Sequence, residues 1–185
     1  MIVGGERSEA NGEWSFAAGR RAKANHQGSF VWADSTDADF SDGADNEFLV
    51  RATGGIYFSS GSGNGPYCPA NGTDFLPFSD RNAKENFEAI DARQILDQVA
   101  ALPITKWNFK FQEDSWRHIG PMAQDFSAAF GVGFDDLHIS NADSNGVALA
   151  AIQGLHQMVK ERDAQIAALE QRLAALEQRL AVPEP

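Results

Sequence analysis

A single cysteine, Cys68, stands in the 185 residues, inside the turn-rich run Gly65-Pro66-Tyr67-Cys68-Pro69-Ala70-Asn71-Gly72 with no partner thiol. An intrachain disulfide and a cysteine-built zinc site are excluded. Long apolar runs are missing as well, since no stretch approaches the roughly 18 residues of a membrane span. The opening Met1-Ile2-Val3-Gly4-Gly5-Glu6-Arg7 also lacks the apolar core of a signal peptide. Basic side chains are scarce, 15 Lys and Arg against 26 Asp and Glu, for a formal charge of -11. That charge repels nucleic acid and anionic membranes alike. The deficit is not local: residues 1–78 carry ten acidic and five basic side chains, and the remainder sixteen and ten. We therefore expect no nucleic-acid partner, no membrane partner, and neither cofactor nor metal.

What the first half does contain is a short repeat. Ser15-Phe16 recurs as Ser29-Phe30 after 14 residues, and the small residues Ala17, Gly19, Ala22 and Ala24 alternate between them. That period is too short for a helical repeat and suits short strands stacked in a solenoid, each coil buried against its neighbours. The pattern S-x-A-x-G-x-x-A-x-A resembles the β-roll repeats of trimeric autotransporter heads and some phage fibres, with about one and a half repeats present. Residues 34–47 then gather Asp34, Asp37, Asp39, Asp42, Asp45 and Glu47. An EF-hand loop counted from Asp37 needs glycine at 42 and glutamate at 48, where Asp42 and Phe48 stand, so a solvated acidic loop is expected instead of a calcium site. Glu47–Thr53 alternates as a strand, Gly54-Gly55 breaks it before Ile56-Tyr57-Phe58, and Ser59 to Pro77 reads as loop throughout.

The second half changes period. Ile90, Ile95, Leu96, Val99 and Leu102 form a helical stripe, with Asp91 as N-cap, Gln94 three residues on, and Pro103 ending it. Ile104–Phe111 alternates Trp107, Phe109 and Phe111 with Lys106, Asn108 and Lys110, which predicts a strand with one buried face. Gly120-Pro121 predicts a helix with proline in its first turn, carrying Met122, Phe126 and Phe130 and capped by Gly131. From Val147 one continuous helix is predicted to reach Pro183, about 50 Å long. Its heptads place Ile152, Val159, Ile166, Leu173 and Leu180 at a, and Leu155, Arg162, Leu169 and Leu176 at d. Residues 168–174 repeat verbatim as 175–181, with Arg172 at g and Glu177 at the following e, the pairing of parallel chains. The seam is too narrow and too long for a helix folded back on its own domain. A parallel homo-oligomer is expected, with two or three strands left open by the a and d residues.

Between the halves runs Phe78-Ser79-Asp80-Arg81-Asn82-Ala83-Lys84-Glu85-Asn86, with a serine and a lysine five residues apart. Serine is a poor nucleophile until a base takes its proton, and lysine is a base only when its charge is destabilised. A free lysine ionises near 10.4, so acting near neutral pH requires about 4 kcal/mol of differential destabilisation of the ammonium. Residues five apart face different sides of a helix or strand, so the two side chains meet only if the chain turns between them or a second subunit supplies the lysine. Asp80 and Glu85 would hold the ammonium charged, and so are expected to point away or to be engaged by Arg81 or another cation.

Ser79-Asp80-Arg81-Asn82-Ala83-Lys84-Glu85-Asn86, then Trp107-Asn108-Phe109, then Ile119-Gly120-Pro121-Met122-Ala123-Gln124-Asp125, then the terminal heptads follow one another in order. The series resembles the intramolecular chaperone domain of phage tailspikes and tail fibres, peptidase family S74, with its S-D-x-x-L-K-x-N and I-G-x-x-A-Q-E motifs. Ala83 stands at the family's leucine and Asp125 at its glutamate. The resemblance implies a domain that trimerises the fibre ahead of it and then cuts itself off just before the motif serine. Carried over, Ser79 is the nucleophile, Lys84 the base, and Phe78-Ser79 the scissile bond. His118 is the other acid/base candidate within a motif, and a structural role is expected for it. The implied organisation is α+β: a β-rich fibre-end segment at 1–78, a small chaperone and autoprocessing domain at 79–146, and a coiled-coil helix at 147–182 in a parallel homotrimer. Its partners would be its own copies and upstream fibre domains, in the virion tail fibre or in the host cytoplasm during assembly. The alternative is a non-cleaving trimerisation and stalk module of a fibre or trimeric surface adhesin.

Overall fold

The structure, a computed structural model, describes residues 2–59 and 65–181. The chain divides into two units, Met1–Glu85 and Asn86–Pro185. It is α+β, with a β-solenoid-like first unit and a long helix ending the second.

In the first unit the chain winds as parallel coils. Strands β1 (Ile2–Glu6), β3 (Phe16–Arg20), β5 (Phe30–Ala33) and β7 (Phe48–Arg51) form one parallel sheet in that order. Strands β2 (Glu9–Ala10), β4 (Ala22–Ala24) and β6 (Phe40–Ser41) form a second. Phe16 pairs with Phe30, and Phe30 with Phe48, so the repeat noticed at Ser15 and Ser29 extends over more coils than the one and a half read from sequence. Spacing hid the rest. The step from Phe16 to Phe30 is 14 residues, whereas Phe30 to Phe48 and Ala22 to Phe40 are each 18, the extra residues falling between Ala33 and Phe40.

A coil this short has room inside for little more than methyl groups. Ala17, Ala22, Ala24, Val31 and Ala33 are fully buried and make the core, with Ala10, Phe40 and Leu49 packed against it. At Gly19, with φ +91, a Cβ would stand 1.7 Å from the Ala33 carbonyl oxygen, so only glycine fits where one coil passes this close to the next. The chain rounds its corners in the left-handed region at Arg7 and Arg21, and again at Trp14, Gly28 and Asn46. On one face Phe16, Phe30 and Phe48 stack in a ladder with centroids 4.5 and 4.9 Å apart.

The acidic stretch is not the solvated loop expected. Asp34 accepts from the Thr53 backbone N–H at 2.7 Å and hydroxyl at 2.6 Å and meets Arg51 at 3.2 Å. Asp37 and Asp39 pair with Arg21 at 3.0 and 2.8 Å, and the Asp42 side chain is fully buried. These acids tie coil to coil, because a solenoid corner leaves backbone N–H groups that a carboxylate can satisfy. Downstream, β8 (Gly55–Tyr57) and β9 (Tyr67–Pro69) pair as an antiparallel hairpin. The 59–77 stretch is therefore not loop throughout; residues 60–64 lie outside the described ones.

In the second unit, helix α1 (Ala92–Ala101) starts at Asp91, whose carboxylate accepts from the N–H groups of Arg93 and Gln94, as the sequence predicts. Strand β10 covers only Thr105–Trp107 and pairs antiparallel with β11 (His118–Gly120), so the strand predicted to Phe111 is shorter. Phe109 and Phe111 leave the ladder and stack on each other at 5.2 Å, 46% and 84% exposed, so the expected buried face is not formed within one chain. Helix α2 (Ala123–Phe130) begins after Met122, which places Pro121 ahead of the first turn instead of in it. Gly131 closes the helix in the left-handed conformation, as expected. Helix α3 spans Asn141–Ala181, six residues earlier than Val147, because Ser140 accepts from the Asp143 N–H at 3.0 Å and caps it. About 60 Å of helix results. Its near end packs on α1, where a Cβ on Gly154 would lie 2.2 Å from the Ala92 carbonyl oxygen.

Asp42 yields a prediction. Burial pushes its carboxyl up, but hydrogen bonds from the Asn25 and His26 N–H groups outweigh burial and hold it at about 2. A carboxyl depressed in the fold contributes stability above its unfolded value near 3.9 and withdraws it as the pH falls through its folded one. Thermal unfolding followed by circular dichroism should show stability lost between about pH 4 and pH 2. Asp42→Asn should flatten part of that limb, and Asp42→Ala should cost about 2 kcal/mol at pH 7 by leaving two N–H groups unpaired.

Candidate functional site

The turn between Ser79 and Lys84 is built by Asp80. With φ -68 and ψ 133 Asp80 is still extended, and its carboxylate accepts from the Asn82 backbone N–H at 2.9 Å and side-chain amide at 3.1 Å. That cap starts a single 3-10 turn, Arg81–Ala83, closed by Ala83 N–H to Asp80 O and Lys84 N–H to Arg81 O, both at 3.2 Å. Lys84 is then extended again at φ -117 and ψ 151, which sends its side chain back along the chain. Its Nζ lies 2.6 Å from Ser79 Oγ. One turn within one chain thus meets the geometric requirement, with no second subunit needed for the lysine. Asp80 is engaged by Asn82, where the sequence reading had it either pointing away from the lysine or engaged by Arg81 or another cation.

Both side chains are exposed in the single chain, as are all residues from 79 to 91. As an ammonium, Lys84 donates to Ser79 Oγ; as a neutral amine it could accept the hydroxyl proton. The arrangement can therefore move a proton from Ser79, provided that something lowers the solvation of the lysine.

The other side of Ser79 is held by the hairpin, which the sequence reading missed. Leu76 forms an antiparallel bridge with Tyr67, its N–H donating to Tyr67 O at 2.9 Å and its carbonyl accepting from Tyr67 N–H at 3.3 Å. Tyr57, Tyr67, Leu76, Pro77, Phe78 and Ser79 line a pocket of about 390 Å³ together with Gly65. The aromatic residues Tyr57 and Tyr67, ten positions apart around a Gly- and Ser-rich run, were the available signal.

His118 is engaged elsewhere. Its Nε2 donates to Gln112 Oε1 at 3.0 Å, and its ring lies tilted against Trp107 at 4.8 Å and meets the edge of Phe109 at 5.8 Å. A larger cavity of about 760 Å³ in the second unit is lined by Trp107, Phe109, Phe111, Met122, Leu137 and His138 among others. Beside it Asp135 is held below the usual carboxylate range by the His138 ring at 2.9 Å and by the N–H groups of Leu137 and His138. Among the described residues no group of three His, Cys, Asp or Glu is arranged to hold a metal ion, and no helix is long and apolar enough to cross a membrane.

No curated protein matches the chain. A family model does match, the one described as chaperone of endosialidase, peptidase S74, over residues 79–134. Its first matched residue is the serine that Lys84 approaches. From Ser79 to Phe134 this chain carries a chaperone domain of the endosialidase type, family S74.

Proposed function

We propose that the part of the chain from Ser79 onward assembles a phage-type tail fibre or tailspike as a parallel homotrimer and then severs itself between Phe78 and Ser79. The observation that carries the cleavage is the 2.6 Å approach of Lys84 Nζ to Ser79 Oγ. In the reaction Ser79 Oγ attacks the carbonyl carbon of Phe78 while its proton passes to the neutral Lys84 amine. The C–N bond then breaks, and Lys84 returns the proton to the departing Ser79 nitrogen. The ester left between Phe78 and Ser79 Oγ is hydrolysed by water to a carboxylate at Phe78 and a free hydroxyl at Ser79.

Assembly is supported by how little the second unit hides alone. Among its described residues the buried apolar side chains are Ala92, Phe126, Ala150 and Ala151, while Phe134 is 97% and Ile119 70% exposed. So much apolar surface marks an association face. Along α3 the a and d residues from Ile152 to Leu180 are exposed too, as a coiled-coil seam is before its partners arrive. Packing by other copies would also remove water from Lys84, which couples the cut to completed assembly.

Sedimentation at micromolar concentration should give a trimer, and a folded monomer there would sink the assembly reading. Incubated without protease, the wild type should yield products ending at Phe78 and beginning at Ser79, detected by mass. Ser79→Ala, Lys84→Ala and Lys84→Arg should stay whole as trimers, the last because guanidinium keeps its proton. Hydroxylamine should speed the wild-type cut by capturing the ester, and the rate should climb with pH as the amine loses its proton. Cleavage persisting in both alanine variants, or an uncut wild type at pH 8, leaves the non-cleaving stalk module as the function.

A further inference from the structure

The residues before the scissile bond are more constrained than a linker requires. Leu76 is fixed to β9 by its two hydrogen bonds with Tyr67, and Tyr67 itself pairs with Tyr57 in β8, so Leu76 lies along the open side of the hairpin. Pro77 follows, with its φ locked by the ring and no N–H to satisfy, and it confines Leu76 to extended geometry. On the far side, Asp80 is fixed by its cap on Asn82 and Ser79 by Lys84. Phe78 is thus the one residue between two anchored ends, and its ring, 51% exposed, lines the 390 Å³ pocket walled by Tyr57, Tyr67, Leu76 and Pro77. At Gly55, with φ +111, a Cβ would stand 2.8 Å from the Cys68 carbonyl oxygen and 3.1 Å from the Tyr67 ring, so glycine lets the two strands of the hairpin lie this close. Tyr57, Tyr67, Leu76, Pro77 and Phe78 all lie ahead of the matched domain, which starts at Ser79.

We infer that the β8–β9 hairpin is the positioning element of the self-cleavage: Tyr67 and Leu76 hold the chain, and the pocket takes a large apolar or aromatic side chain at position 78. This rests on the cleavage proposed above. A nucleophile attacking the carbonyl of the preceding residue needs the torsions about that residue set, and each torsion already fixed lowers the entropy cost of reaching attack geometry. Seating the Phe78 ring fixes the last loose ones. The hairpin therefore acts through Phe78 and touches neither the proton nor the amine.

The test uses the full chain and compares first-order cleavage rates by mass for Tyr67→Ala, Tyr67→Phe, Phe78→Gly and Phe78→Leu, with and without hydroxylamine, across a pH series. Tyr67→Ala and Phe78→Gly should each slow the cut about tenfold or more. Tyr67→Phe and Phe78→Leu, which keep the wall and the filling, should stay within a few-fold of wild type. The pH profile should keep its midpoint in all four, since Lys84 is untouched, and hydroxylamine should not rescue the slow variants, because ester formation is the step lost. Sedimentation identifies any variant that has failed to assemble, and the Phe78 pair, at an exposed side chain, keeps the test valid if Tyr67→Ala does so. Unchanged rates in Tyr67→Ala and Phe78→Gly beside a cutting wild type overturn this assignment and leave the parent reading intact. A wild type that never cuts, staying as whole as Ser79→Ala after the same incubation, overturns both.

Discussion

Parallel coils of about 14 residues leave almost no interior, and most of the first unit follows from that. Where only methyl groups fit inside, the hydrophobic contribution per residue is small, and the remainder must come from backbone pairing and from what happens at the corners. Hence the alanines at 17, 22, 24 and 33, the glycine at 19, and the left-handed corners at Arg7 and Arg21. The acids that look like solvating charge in the sequence are spent on those corners. Asp42 takes two N–H groups of the coil before it, and Asp34 takes Thr53 of the segment after it. A net charge of -11 is therefore partly a record of corner chemistry.

This explains what could be read in advance. The solenoid was legible at Ser15-Phe16 and Ser29-Phe30, where the spacing is regular, and vanished at the third coil, where extra residues after Ala33 broke the period. Helix α1 was legible because Asp91 and Pro103 mark its ends locally. The start of α3 was not, because Ser140 and Asp143 cap it ahead of any apolar periodicity. The alternation from Ile104 to Phe111 misled: Phe109 and Phe111 are apolar without being buried against their own chain, and a pattern of residue types cannot say which molecule will cover them. At the site, both side chains could be named from sequence and their meeting made conditional on a turn. The turn itself rests on the Asp80 cap, and the hairpin behind Ser79 depends on pairing across a run of weak propensity.

In the cleavage proposed above, the Ser79–Lys84 pair divides its labour. Proximity is supplied locally, by three residues of 3-10 turn, and so exists as soon as the turn forms. Solvent exclusion is not local, because residues 79 to 91 stand open in the single chain. The proposed cleavage needs both, because a lysine serves as a base only when its charge is destabilised. Separating the two requirements lets a site be complete in shape long before it is competent in chemistry.

Helix α3 changes character along its length. Up to Glu161, whose carboxylate meets Arg93 at 3.5 Å, it leans on α1; from there to Leu180 every residue is exposed. An uncovered helix of that composition draws little order from its own chain, and its cohesion follows the concentration of whatever covers it. The near end is thus a domain element with a fixed free energy, while in the oligomer proposed above the far end would melt at a temperature that moves with dilution. Fraying would begin at Leu180 and halt near the Arg93 contact, so that one continuous helix has two melting laws.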